Sequence, residues 1–150
     1  MTACSSPQDQ ATPTTAPATT TASSTSAQSP SPTALPAAAD GTDLATCADG
    51  TCEVQVSAPG PIGLPQTAEA ALSLASVGNA SVTMAFAPTA TNFSTDCDPL
   101  DACSNRLTLV EGGQGNVATV RVGAKMTFNK VSVVVVAVVG TSAVLRISPA

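Results

Sequence analysis

Histidine, tryptophan and tyrosine are absent from this 150-residue chain, and phenylalanine occurs only three times. Histidine is the most common general base, the usual partner of a catalytic serine or cysteine, and a frequent ligand of catalytic zinc. Its absence therefore excludes the commonest hydrolase and zinc chemistry. The lack of tryptophan and tyrosine leaves few aromatic platforms for stacking on sugars and few aromatic hot spots for binding proteins.

One catalytic alternative needs no histidine, namely a serine hydrolase that uses a lysine base. Neither Lys125 nor Lys130 has a serine three residues before it, as the Ser-x-x-Lys pattern requires. Such an enzyme would need a cleft around Lys125 or around the acidic group at Asp96. We therefore predict that the protein is not an enzyme and needs no cofactor.

Basic residues are also few, and they are unevenly placed. The formal net charge is −5, all five basic residues lie at or after Arg106, and all but one of the ten acidic residues lie before it. Nucleic-acid binding requires a clustered basic surface. The longest apolar run, residues 131–139, is far shorter than the ~20 residues of a membrane helix. We predict no nucleic-acid partner and no transmembrane helix.

Large apolar side chains are almost missing from the first part of the chain. From Ser5 to Ala39 nearly every residue is Ser, Thr, Pro or Ala, and Leu35 is the only large apolar one. Such a segment cannot bury enough surface to offset roughly 1–2 kcal/mol of backbone entropy per residue. The composition predicts a disordered stalk over residues 1–39 and a folded domain over residues 40–150.

Four of the five cysteines form two close pairs. Cys47 and Cys52 flank Asp49-Gly50, a dipeptide typical of a type I′ hairpin turn, which would place the two cysteines opposite each other. Cys97 and Cys103 flank a turn-prone loop. We predict two disulfides that fix local geometry and indicate an oxidising, extracytoplasmic compartment. The alternative is a four-thiolate zinc site, to which these spacings fit poorly.

Acidic residues surround the second cysteine pair, at Asp96, Asp98 and Asp101. Clustered carboxylates are typical calcium ligands. Pro99 and Leu100 interrupt any EF-hand pattern, however, and an aspartate before a proline commonly starts a turn. A solvated acidic loop is the favoured interpretation, and a calcium site is the alternative.

The fifth cysteine, Cys4, has no partner in this scheme. Thr2-Ala3-Cys4 resembles the end of a bacterial lipobox, and the Ser/Thr/Pro/Ala tract after it is similar to the start of actinobacterial cell-envelope lipoproteins and secreted proteins. The resemblance implies lipid attachment at Cys4 and a basic and then apolar segment encoded upstream. It implies an envelope or secreted location and a membrane contact made only through the anchor, and it transfers no active site. The alternative is a chance cysteine in a disordered tail.

Apolar residues alternate with period two in most of the remaining sequence, which is typical of half-buried strands. The clearest segments are residues 52–57, 80–86, 118–129 and 143–147. We interpret residues 118–129 as one strand with a break at Gly123. Residues 72–74 form a further candidate strand, which a hairpin turn at Gly78-Asn79 joins to residues 80–86.

The valine-rich residues 131–139 are apolar on nearly every position and predict a strand that is central in its sheet or covered on both faces. A short helix fits only residues 68–75. With about seven or eight strands, we predict an all-β fold, a small antiparallel β-sandwich or barrel behind the stalk.

Three functions follow from these patterns. The favoured one is a non-catalytic, envelope-tethered or secreted module that binds an envelope protein or ligand, or that has a structural role, and it predicts an uncovered sheet edge or apolar patch. The alternative is a carrier of lipid or another apolar ligand, which predicts a closed cavity of at least ~300 Å³ lined by the valines of residues 131–139. The least favoured is the histidine-independent hydrolase.

Overall fold

Ten strands, arranged as two antiparallel five-stranded sheets, form a β-sandwich in the part of the chain that the computed structural model describes, residues 34–89, 94–110 and 113–150. The strands are β1 Cys52–Val56, β2 Gly60–Ile62, β3 Ala70–Gly78, β4 Ser81–Pro88, β5 Thr95–Asp98, β6 Cys103–Val110, β7 Gly113–Arg121, β8 Lys125–Phe128, β9 Val131–Val139 and β10 Ser142–Pro149. The first sheet has the order β1-β10-β9-β8-β5 and the second the order β2-β3-β4-β7-β6. The predicted all-β fold is confirmed, as a sandwich.

The core lies between the sheets and consists of the side chains that the period-two pattern placed on one face of each strand. Val82, Met84 and Phe86 of β4 are fully buried. Phe86 packs against Phe128 of the first sheet, with ring centroids 4.3 Å apart and planes tilted by 47°. Each large apolar side chain buried in this way contributes roughly 1.5–3 kcal/mol. The aromatic pair therefore helps to hold the two sheets together.

The break predicted at Gly123 within residues 118–129 is present, but the two parts belong to different sheets, as β7 and β8. The N–H of Val122 still donates to the carbonyl oxygen of Ala80, in the turn before β4 of the second sheet, at 3.0 Å. The N–H of Gly123 donates to the carbonyl oxygen of Val135 in the first sheet at 2.7 Å. Gly123 has a φ of +82°, a conformation that glycine adopts at little cost. The chain therefore crosses from β7 in one sheet to β8 in the other while its apolar alternation continues.

The prediction of a hairpin at Asp49-Gly50 is wrong. Leu44–Asp49 is a 3-10 helix, which the side chain of Asp43 caps at its start and Gly50 ends with a φ of 91°. Gly50 has the positive φ expected of a turn residue, but its N–H donates to Cys47 within the helix end. β1 begins at Cys52 and pairs with β10 instead.

The hairpin predicted between residues 72–74 and 80–86 is present, with its turn one residue later than expected. Gly78 pairs with Ser81, so the two central turn residues are Asn79 and Ala80. Their φ values are 52° and 55°, as a type I′ turn requires. Residues 68–75 are not a helix, because β3 begins at Ala70 and the 3-10 helix Gln66–Ala68 ends before it.

The valine-rich segment forms β9, a strand between β8 and β10 that is central as predicted. Val131, Val133 and Val135 are at most 2% exposed and belong to the core cluster between the sheets. Their side chains pack against other apolar side chains of that cluster. A third 3-10 helix, Leu100–Ala102, connects β5 to β6 and so joins the first sheet to the second.

Candidate functional site

Both predicted disulfides are present, and they differ in what they connect. The Cys47–Cys52 disulfide joins the 3-10 helix to the start of β1, with Cα atoms 4.9 Å apart. The Cys97–Cys103 disulfide joins β5 of the first sheet to β6 of the second, with Cα atoms 6.1 Å apart. The second bridge therefore connects the two sheets, and it does not merely close a local loop.

The acidic residues beside that bridge point to no metal centre. Asp96 and Asp98 lie on β5 and Asp101 lies in the following 3-10 helix, and all three are exposed. Within the described ranges, no group of three or more cysteine or acidic side chains is arranged to hold a metal ion. Lys125 is also exposed and lies opposite Asp98 in the ladder between β5 and β8. Lys125 and Asp98 line none of the three clefts described for this part of the chain, whereas Asp101 lines the cleft beside β6.

The predicted lipid attachment site at Cys4 lies outside the described residues, as does most of the predicted stalk. At the end of that stretch, Asp40 and Gly41 lie against β1. The N–H of Asp40 donates to Glu53 at 2.9 Å, the Glu53 N–H donates to the Asp40 carboxylate at 2.8 Å, and the Gln55 N–H donates to Gly41 at 2.6 Å. These bonds occupy backbone groups on the outer side of β1. This edge of the first sheet is covered.

The two short edge strands are protected in other ways. β2 has only three residues and carries Pro61, which cannot donate a backbone hydrogen bond. β5 has four residues and carries exposed Asp96 and Asp98. Short length, proline and charge are the usual means by which proteins prevent pairing at a sheet edge.

The remaining edge strand, β6, is neither short nor interrupted by proline, and its single charged residue is Arg106. It is eight residues long and pairs with β7 along its whole length, from Cys103 opposite Val120 to Val110 opposite Gly113. Within residues 34–89, 94–110 and 113–150, no strand lies on its other side and no backbone hydrogen bond from another segment reaches it. We call this outer side of Cys103–Val110 the β6 edge.

Two observations show which backbone groups the β6 edge presents. The N–H of Val122, just after β7, donates to the chain at the start of β4. The backbone N–H and C=O groups of successive residues in an antiparallel strand point to opposite sides, so those of the odd-numbered β7 residues point to β6. In addition, Val110 and Gly113 flank a two-residue connection, and such a closing pair is hydrogen-bonded. Even-numbered β6 residues are therefore bonded to β7. The groups that point outward belong to Cys103, Asn105, Leu107 and Leu109.

The charged residues within β6 and β7 have a single sign, whereas the exposed Asp101 lies just before β6 and Glu111 follows it in the sequence. Arg106 of β6 and Arg121 of β7 are both exposed. Arg106 lies opposite Val117, two residues from Thr119, so it shares the solvent face of the second sheet with Thr119 and Arg121. The Nη2 atom of Arg121 donates to the carbonyl oxygen of Asp101 at 2.6 Å, just before β6 begins. One guanidinium group therefore lies on β6 and another reaches its start.

Several open clefts lie on the surface of the described residues. One of about 230 Å³ is beside the β6 edge and is lined by polar groups that include Ser81, Ser104, Thr119 and Arg121. Another of about 260 Å³ lies where β1 and β2 end and is lined by Leu44, Ile62 and Leu74 among others. Neither is lined by the valines of β9, which the carrier hypothesis requires. A third cleft, of about 160 Å³, includes Val131 of β9 among its lining residues, but it is smaller than the ~300 Å³ cavity that the carrier hypothesis predicts.

Comparison of the chain with protein-family models, with curated proteins and with solved structures gives no match. The described part of the chain holds no helix of the length and apolar character needed to cross a membrane. Function must therefore be argued from the β6 edge itself. β6 was not among the predicted strands, although Arg106-Leu107-Thr108-Leu109 has the alternating pattern of a strand.

Proposed function

We propose that the protein is a non-catalytic, extracytoplasmic module that binds a partner protein by adding one of the partner's extended segments to β6. The observation that carries this proposal is the difference between β6 and the other three edge strands, which are covered or short. Asp40 and Gly41 cover β1, and the edge strands β2 and β5 are short. In contrast, β6 is eight residues long, and the backbone groups of every second residue point outward. An edge strand of this length whose outer side is unpaired is a template for β-augmentation.

Backbone pairing suits the composition of this chain. Aromatic residues make up only 2% of it, so the anchors that dominate many protein interfaces are scarce. Strand addition takes its affinity from main-chain hydrogen bonds and its specificity from alternate side chains. A partner strand would satisfy the outward N–H and C=O groups of Asn105 and its odd-numbered neighbours.

The proposed location and membrane attachment depend on the cysteines and not on the β6 edge. Disulfides persist in oxidising compartments, so the two bridges favour an extracytoplasmic protein. Attachment through Cys4 would hold the module at the envelope and leave β6 available to neighbouring proteins. Incorporation of labelled fatty acid into the full-length gene product, compared with its Cys4→Ser variant, tests the attachment.

Two substitutions at one position test the edge. Asn105→Pro removes an outward N–H and disturbs no bond to β7, because proline is tolerated where a strand N–H faces solvent. Asn105→Ala removes the side chain and keeps that N–H, so it is the matched control. The probes are random short peptides displayed on phage and selected on the immobilised full chain.

We expect the selected peptides to bind the Asn105→Ala variant within about twofold of the original affinity. They should bind the Asn105→Pro variant at least about tenfold more weakly, because one hydrogen bond is lost and its acceptor on the peptide is left unpaired. Circular dichroism and thermal unfolding establish that both variants are folded. Equal binding to both variants, or a selection that yields no binding peptide, contradicts the proposal.

A further inference from the structure

We infer that the segment recognised by β6 is acidic, with two carboxylates spaced four residues apart. This inference rests on the proposed function, because it specifies the partner of the same edge. The strands of the second sheet carry positive charge only. The sequences of β2, β3, β4, β6 and β7 contain no aspartate or glutamate, and their only charged residues are Arg106 and Arg121.

This positive sheet belongs to a protein of net charge −5. The first sheet contains both signs, with Glu53, Asp96, Asp98, Lys125 and Arg146 in its strands. In the described ranges, salt bridges join Arg146 to Glu53 and Lys130 to Glu69, whereas Arg106 and Arg121 form none. The two arginines of the second sheet are therefore available to carboxylates from outside the described part of the chain.

The position of Arg106 defines the first contact. An added strand places every second side chain on the solvent face of the sheet, and the one directly opposite Arg106 would lie about 5 Å from it. A carboxylate there would accept charge-assisted hydrogen bonds from the guanidinium group. A lysine or arginine at the same position would be repelled.

The position of Arg121 defines the second contact and the spacing. Cys103 lies opposite Val120, so the register continued one residue beyond β6 places Arg121 level with Ala102, the last residue of the preceding 3-10 helix and four residues before Arg106. The guanidinium group of Arg121 extends toward this end of the edge, where it uses one of its five donors on Asp101. Side chains four residues apart on a strand share a face, so one partner strand reaches both arginines.

The same charges argue against a second copy of this chain as the occupant. Two β6 edges paired with each other would bring two copies of Arg106 and two of Arg121 to one seam, with no strand carboxylate among them. Like charges close together on neighbouring strands are destabilising. An acidic segment from another protein would pair with the outward backbone groups of β6 without this repulsion.

The test uses the displayed peptides whose binding is lost in the Asn105→Pro variant, and it measures their affinity for Arg106→Glu, Arg121→Glu and Lys125→Glu. All three variants change the net charge equally, but Lys125 lies on β8 of the first sheet. We expect these peptides to carry aspartate or glutamate four residues apart and to bind the two arginine variants about three- to tenfold more weakly. Binding to the Lys125→Glu variant should stay within about twofold, and added salt should weaken binding to the original protein.

Peptides that lose binding in the Asn105→Pro variant but are neutral or basic would overturn the acidic partner and leave edge pairing intact. An equal loss in the Lys125→Glu variant would show attraction by net charge alone and would also overturn this inference. Sedimentation that shows a dimer of the original chain, abolished by Asn105→Pro, would identify a second copy as the occupant and reject the acidic segment.

Discussion

Cys97 and Cys103 are six residues apart in the sequence, yet they lie on strands of different sheets and their sulfur atoms are bonded. The chain between them, with the 3-10 helix Leu100–Ala102, is the connection from β5 to β6. The bridge thus fixes the start of β6 relative to the first sheet. A strand that is to receive a partner strand benefits from such a fixed start, because less freedom is lost on binding.

Replacing both cysteines of this bridge with alanine should lower the free energy of unfolding by about 2 kcal/mol, the amount expected for so short a ring. Urea unfolding at equilibrium measures the change. The matched control is the double alanine variant of Cys47 and Cys52, which should lose a similar amount. Only the Cys97 and Cys103 variant should also lose amide protection at the start of β6, and equal protection there in both variants would argue against a role in fixing the edge.

Gly123→Ala should destabilise the sandwich by about 1–2 kcal/mol. Gly123 has a φ of +82° at the crossing between the sheets, and a side chain in this conformation is strained although no atom lies within 4 Å of the added Cβ. Gly60→Ala is the control, because a Cβ at Gly60 also meets no atom within 4 Å and no positive φ is present there. Thermal unfolding measures both variants. An equal effect of the two substitutions would disprove the role given to the backbone at Gly123.

Asp40→Ala should cost about 1 kcal/mol of stability, since it removes the acceptor of the Glu53 N–H on the outer side of β1. Asp96→Ala removes the same charge from an exposed position on β5 and should leave stability within about 0.5 kcal/mol. Chemical denaturation compares the two. If Asp96→Ala is the more damaging substitution, the carboxylate of Asp40 does not protect β1.

The sequence predicts the strands better than it predicts their arrangement. The alternation of Val82, Met84 and Phe86 requires only a strand with one buried face, and the structure has one. The same alternation continues through Gly123, because residues on both sides of the crossing face the one core between the sheets. Periodicity therefore could not show that β7 and β8 belong to different sheets.

The pairing of Cys47 with Cys52 was predicted correctly from incorrect local geometry. A positive φ at Gly50 suits both a hairpin turn and the end of a 3-10 helix, and the sequence does not distinguish them. The β6 edge was not predicted at all. Whether a strand is free on one side depends on the order of strands in the sheet, which long-range pairing determines and local pattern does not.

Residue-resolved amide hydrogen exchange on the free protein tests the unpaired β6 edge most directly, because it needs no partner. We expect fast exchange at Asn105 and Leu107, whose N–H groups point outward, and slow exchange at Ser104 and Arg106, whose N–H groups are bonded to β7. Slow exchange at all four amides would mean that another segment already covers β6, and it would contradict the proposed function.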